Sequence, residues 1–119
     1  VLLLANGPMV EIAEKAAASL EQRGHSCGVV NARWVKPHDD RLHEWVGAAN
    51  HVVTLEDNVV TGGFGASVLE ALSGSGLGGK VTTMGVPDQF LHFGSADDIR
   101  SSVALDVDSI IDRVAVILE

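Results

Sequence analysis

A three-layer α/β domain built on a mainly parallel sheet of four to five strands is the architecture this sequence predicts, with the four visible strands in the order 2-1-3-4. Three observations lead there. Short apolar runs, too brief for helices, recur at residues 1–4, 26–30, 51–55 and 81–84. Stretches with apolar residues at helical spacing lie between them. The runs do not alternate apolar with polar, so they read as strands covered on both faces, with helices above and below the sheet.

Each element has a local reason. Val1-Leu2-Leu3-Leu4 is a buried strand ended by Asn6-Gly7-Pro8. Pro8 suits a first helical turn, where its missing N–H costs little. Met9, Ala13, Ala16, Ala17 and Leu20 then share one helix face, and Arg23 with a left-handed Gly24 supplies the stop. The second strand is followed by a turn at Lys36-Pro37-His38-Asp39-Asp40, with Asp39 or Asp40 as N-cap of a helix whose stripe is Leu42, Trp45, Val46 and Ala49. The third strand runs to Leu55. A loop, Glu56-Asp57-Asn58-Val59-Val60-Thr61-Gly62-Gly63-Phe64-Gly65, opens a third helix with Val68, Leu69 and Leu72 inward. A Ser- and Gly-rich loop at 73–79 leads to the fourth strand. Ser95, with Asp98 three residues on, starts a short helix. Asp106 caps the last, whose inward residues are Ile110, Ile111, Val114, Ile117 and Leu118. Trp34 and Trp45 read as core or interface anchors, and Phe90 and Phe93 as packing the 87–94 loop back onto the sheet.

Composition bounds the function. The 119 residues fit one domain, and 46% are hydrophobic, enough for a core. A net charge of -8, with the 8 basic residues scattered, argues against nucleic acid or an anionic membrane as partner. No apolar run approaches the length of a membrane span. The single cysteine, Cys27, permits no internal disulfide, which fits a reducing cytoplasm, and its apolar setting predicts a buried inert thiol. The opening at Val1, inside a strand and without methionine, predicts a piece of a longer polypeptide.

Catalytic motifs are missing. The turn after the first strand does not match G-x-G-x-x-G, and no P-loop Gly-Lys-Ser or Gly-Lys-Thr is present. A phosphate at the helix start near Gly65 would meet Glu56 and Asp57, so the glycines there read as close backbone packing. His25, His38, His43, His51 and His92 form no metal-ligand spacing. Ser67 and Ser95 lack a nucleophile elbow. Glu56 and Asp57 are neighbours whose side chains diverge in an extended segment, so they make no acid–base pair, though either can reach a neighbouring chain.

Three longer strings carry a resemblance. Asn31-Ala32-Arg33-Trp34-Val35-Lys36-Pro37, then Val53-Thr54-Leu55-Glu56-Asp57-Asn58 running into Gly62-Gly63-Phe64-Gly65, and then Gly85-Val86-Pro87-Asp88 leading to Phe90 and Gly94-Ser95 together resemble the C-terminal domain of transketolase-like enzymes. Their order and spacing are most similar to the bacterial 1-deoxy-D-xylulose-5-phosphate synthase family. Phe93 departs from the family's usual His before the glycine, and Asn6-Gly7-Pro8-Met9 from its glycine-rich first turn.

The resemblance implies a cytoplasmic homodimeric enzyme that uses thiamine diphosphate and magnesium. It would join pyruvate to glyceraldehyde 3-phosphate with loss of CO2, on the way to isoprenoids and thiamine. The family's Gly-Asp-Gly cofactor motif lies in another domain and is not in this sequence. No catalytic, cofactor or metal residue is therefore expected here, and the chain alone is expected to be inactive. Glu56, Asp57, Asn58, Gly62, Gly63, Phe64 and Gly65 are the candidate interface loop, facing the upstream domains or the dimer mate. The competing readings are the same domain of a transketolase or of a 2-oxoacid dehydrogenase beta subunit, and a stand-alone flavodoxin-like binding module.

Overall fold

The structure is a computed structural model and describes residues 1–33 and 37–119. The expectations for Trp34 and Lys36 lie outside the described residues. In chain order the elements are β1 (Leu2–Ala5), α1 (Met9–Gln22), β2 (Gly28–Asn31), α2 (Leu42–Ala48), β3 (Val52–Val59), α3 (Phe64–Ala71), a 3-10 turn (Gly78–Lys80), β4 (Val81–Val86), α4 (Ala96–Ser102) and α5 (Val107–Leu118). The sheet has four strands, all pairings are parallel, and the order is β2-β1-β3-β4, as the sequence predicts.

Alternation along the strands builds two cores. Leu3 and Ala5 of β1, with Val53 and Leu55 of β3, face α1 and α5, where Met9, Ala13, Leu20, Ile110 and Val114 complete one cluster. Leu4 and Val52 point the other way, against Leu42 and Val46 of α2 and Val68 of α3. Successive side chains of a strand leave on opposite faces, so a run apolar at every position must be covered twice.

Helix ends follow the expected chemistry at α1, α4 and α5. Gly24 takes φ +89°, and the N–H groups of Gly24 and His25 bond the carbonyls of Glu21 and Leu20, which is the Schellman arrangement. Ser95 accepts from the Asp98 N–H at 3.1 Å, and Asp106 from the Ser109 N–H at 3.0 Å. Helix α4 ends in the same way as α1, but with Ala104 at φ +61° where glycine is the unstrained choice. Replacing Ala104 with glycine is expected to stabilise the domain by about 0.5–1 kcal/mol: the left-handed region costs an L side chain roughly 1–2 kcal/mol, and the greater chain entropy of glycine offsets part of that. A rise in the urea midpoint checks it, and an unchanged or lower midpoint contradicts it.

Several expectations are corrected. Strands β2 and β4 are not buried on both faces: as the outer strands of the sheet they contain no fully buried residue. Strand β4 runs through Val86 rather than ending at Met84. Neither Asp39 nor Asp40 caps α2: Arg41 holds that position, and Asp39 instead accepts from the Arg41 N–H at 2.9 Å and from its guanidinium. This contact holds the Asp39 carboxyl below its usual range. Leu69 is not part of the inward stripe of α3 and is 38% exposed, while Phe64 takes the inward place. Strand β3 does not stop at Leu55 but continues through Val59, past a register irregularity. Phe90 and Phe93 do not fold back onto the sheet and are fully exposed.

At the other end of α2, Lys80 reaches back to close the helix. Its Nζ donates to the carbonyls of Gly47 at 3.1 Å and Ala49 at 3.0 Å, which the helix cannot satisfy internally. Lys80→Met keeps the aliphatic stem and removes both bonds. The expected loss is about 1 kcal/mol in denaturant unfolding, and no loss would mean that solvent serves these carbonyls equally well.

Candidate functional site

The segment singled out in the sequence, Glu56 to Gly65, lies at the carboxyl ends of the strands, next to the place where the chain order reverses between β1 and β3. In open α/β sheets this is where ligands bind. A cavity of about 390 Å³ lies here, lined by Asn6, Glu56, Asn58, Thr61, Gly62 and Ser67 among others. A smaller one of about 200 Å³ lies beyond Phe64 and is lined by Asn31, Arg33, His38 and Arg41 among others.

Glu56 organises this end. It is completely buried. Its Oε2 accepts from the Phe64 N–H at 2.7 Å and its Oε1 from the Gly65 N–H at 3.1 Å. These are first-turn N–H groups of α3, which have no partner inside the helix. A negative carboxylate is the favoured group there, by hydrogen bonding and by the helix dipole. The place where a bound phosphate would sit on this helix is thus filled by the protein's own side chain. The sequence places Glu56 near this helix start as a repelling charge; the structure shows it bonded directly to the N–H groups there.

The glycines let the backbone close around that carboxylate. A Cβ on Gly63 would stand 2.5 Å from the Val59 carbonyl oxygen and against the Glu56 carboxylate. One on Gly65 would stand 2.5 Å from Thr54 Oγ1 and 2.6 Å from Thr83 Cγ2. Helix α3 therefore starts directly on the threonines of β3 and β4, and Gly85 gives Glu56 room from the side of β4. Close packing accounts for Gly63 and Gly65, while Gly62, with open space around it, serves the turn through its φ of +69°.

Asp57 turns the opposite way, as adjacent strand residues must. Its Oδ2 pairs with Arg100 of α4, at 2.9 Å from Nη2 and 3.2 Å from Nε, and the Arg100 side chain is 14% exposed. Glu56 and Asp57 thus fasten two helices on two faces and do not act on one atom together. Asn58, Val59, Thr61 and Gly62 are exposed, whereas Glu56, Phe64 and Gly65 are buried beneath them.

One contact was missed in the sequence. Ser67 Oγ lies 2.7 Å from His38 Nε2. No carboxylate bonds the other ring nitrogen among the described residues, so this pair lacks the group that orients a catalytic histidine. It ties α3 to the turn before α2. Only tertiary placement brings residues 29 apart together, and no spacing rule predicts it. Trp45 is half-buried against the α2–α3 cluster, with the Arg41 guanidinium 4.9 Å from its ring centre. Cys27 is buried, and burial raises its thiol pKa, as an inert thiol requires.

The residues here do not fit thiamine diphosphate. The helix N-terminus that would receive a diphosphate is occupied by Glu56. Among the described residues no group of three or more His, Cys, Asp or Glu could hold a metal ion, and no helix is long and apolar enough to cross a membrane.

Comparison with known proteins agrees with this geometry. The family model for the transketolase C-terminal domain matches residues 1–110. The chain is 44% identical over 107 residues to 1-deoxy-D-xylulose-5-phosphate synthase of Magnetococcus marinus, covering 87% of this chain and 17% of that protein. It is 44% identical over 115 residues to synthase 2 of Geobacter sulfurreducens, covering 95% and 18%. The Aquifex aeolicus synthase is 41% identical, covering 92% and 18%. The chain therefore spans less than a fifth of the length of these relatives. Among solved structures, a split-gene transketolase, an inactive beta4 tetramer, superposes with a TM-score of 0.82 at 29% identity, covering 96% of this chain and 37% of that one. Transketolase of Campylobacter jejuni gives 0.61 at 19% identity over 96% of this chain and 16% of its own, a likeness of fold alone. Family model, identity and topology agree, and the chain belongs to the transketolase C-terminal-domain family.

Proposed function

We propose that this chain is the C-terminal, non-catalytic domain of a 1-deoxy-D-xylulose-5-phosphate synthase. The complete polypeptide would hold thiamine diphosphate and magnesium in its other domains. There it would condense pyruvate with glyceraldehyde 3-phosphate, releasing CO2, as a bacterial cytoplasmic homodimer. This domain would brace the upstream domains and complete the dimer. The observation that carries the reading is the 44% identity to a synthase over 95% of this chain, confined to 18% of that synthase.

The site supports the same division of labour. The N-terminus of α3 is closed by Glu56, and Ser67 pairs with His38, while Thr54 Oγ1 beneath Gly65 is buried without a hydrogen-bond partner among the described residues. In this reading Asp57, Asn58 and Gly62 contribute the outer surface of the interface loop. Glu56, Gly63, Phe64 and Gly65 hold that surface in shape from below. The inactive tetramer formed by the split-gene relative is consistent with a domain that assembles without catalysing. A transketolase or 2-oxoacid dehydrogenase subunit is the weaker reading, because the synthases match at 41–44% identity and the Campylobacter transketolase at 19%.

Calorimetric titration of the 119-residue chain with thiamine diphosphate and magnesium tests the reading. No heat of binding is expected. Saturable binding would place a cofactor site in this domain and overturn it.

A further inference from the structure

Two of the chain's three phenylalanines stand on one short loop, and neither touches the core. Phe90 and Phe93 are exposed to 104% and 108% of the reference value, whereas Phe64 is 4% exposed. A fully exposed phenylalanine leaves its whole ring in water, and two of them three residues apart on one loop are a candidate contact surface. The loop leaves the end of the sheet where Val86 is in register with Val59, itself 42% exposed. Val59 thus adds an exposed apolar side chain at the strand end from which the loop departs.

The loop is held at both ends. At its start, the Val60 N–H bonds the Val86 carbonyl at 2.8 Å. At its finish, Ser95 caps α4, and Arg100 clamps that helix to Asp57. Helix α4 contains no fully buried residue, and this ion pair ties it to β3. The loop is thus anchored on either side of the two rings, which shortens the segment that docking must order.

We propose that residues 87–94 are a docking arm, whose Phe90 and Phe93 rings insert into an apolar, basic-rimmed recess on the rest of the same longer polypeptide. The inference rests on the reading above that such a polypeptide exists. In the matched synthases more than four-fifths of the length lies outside this domain, which supplies the partner surface. Asp88 and Asp98 flank the rings, and the rim is basic to match them. The same carboxylates, on a domain of net charge -8, disfavour a second copy of this domain or an anionic membrane as the occupant.

Hydrogen exchange at residues 88–94 tests the proposal, comparing the full-length polypeptide with the 119-residue chain. Exchange at least tenfold slower in the full-length protein, at every protein concentration, is expected. Equal rates would overturn the arm, and so would protection that appears in the isolated chain as its concentration rises, which would make a second copy the occupant. The double variant Phe90→Ser, Phe93→Ser separates docking from folding. It is expected to leave the melting temperature of the isolated chain unchanged and to abolish the protection in the full-length protein; retained protection would overturn the proposal. The two readings fail separately. Protection without synthase turnover would sustain the arm and refute the enzyme assignment, and turnover without protection would do the reverse.

Discussion

Replacing Gly65 with alanine is expected to lower the unfolding free energy by about 3 kcal/mol, enough to drop the melting temperature by roughly 10 °C in a domain of this size. The added Cβ would lie 2.5 Å from Thr54 Oγ1 and 2.6 and 2.9 Å from Thr83 Cγ2 and Cβ. Both obstacles are β-branched, with stiff χ1 angles, on strands paired to each other. They cannot swing aside as the tip of a long side chain would, so α3 must lift from the sheet. Lifting it would also stretch the two bonds from its first turn to Glu56. Gly47 is the internal control. It lies within α2, and a Cβ there would meet nothing within 4 Å. Gly47→Ala is expected to stabilise by about 0.5–1 kcal/mol, as alanine for glycine does in an open helix position. Urea unfolding of both variants decides the matter. If both shift by the same small amount, the close approach of α3 to the sheet is wrong.

Glu56→Gln is expected to cost about 2–3 kcal/mol although it changes the volume hardly at all. The carboxylate offers one oxygen to each of two N–H groups. A carboxamide offers one oxygen and one NH2, so either Phe64 or Gly65 must face a donor with its own donor. Glu56→Ala is expected to cost more, about 4 kcal/mol, because it orphans both N–H groups and leaves a cavity. Formate should then recover part of the loss in a thermal-shift assay, by occupying the vacated anion position. The contrast is Asp57→Asn, whose partner Arg100 lies nearer solvent, with 27% of the Asp57 side chain exposed. That change is expected to cost about 1 kcal/mol or less. If Glu56→Gln proved as mild as Asp57→Asn, Glu56 would not be the organising residue of this end.

The strands and the two long helices were legible because their reasons are local. Met9, Ala13, Ala16, Ala17 and Leu20 are spaced for one helix face, and all five are buried. Ile110, Ile111 and Val114 are buried in the same way on α5. The strand order was also legible, because alternating strands and helices leave few ways to lay down a doubly covered parallel sheet.

What could not be read depends on partners distant in sequence or outside the chain. The polar run Glu56-Asp57-Asn58 reads as a loop, yet β3 carries through it. The acceptors of Glu56 are satisfied by backbone N–H groups 8 and 9 residues later, and no hydrophobic period announces that. The N-cap of α2 was misplaced because Asp39 bonds Arg41 just before the helix begins, using the side chain in a turn of its own. Phe90 and Phe93 read as packing their loop back onto the sheet, on the ordinary rule that large aromatics bury themselves. Neither ring finds a surface among the described residues of its own chain to cover it, and the docking arm proposed above would account for that. In the candidate site, close packing holds for Gly63 and Gly65 but not for Gly62, and the Ser67–His38 contact left no trace in the sequence.

The central claim is that this domain braces an enzyme whose chemistry lies elsewhere. The most direct measurement compares the full-length polypeptide with one lacking these 119 residues, for oligomeric mass by light scattering and for synthase turnover. The account predicts that the shortened protein loses the dimer and its turnover together. A shortened protein that remains dimeric and turns over pyruvate and glyceraldehyde 3-phosphate at the full rate would contradict it.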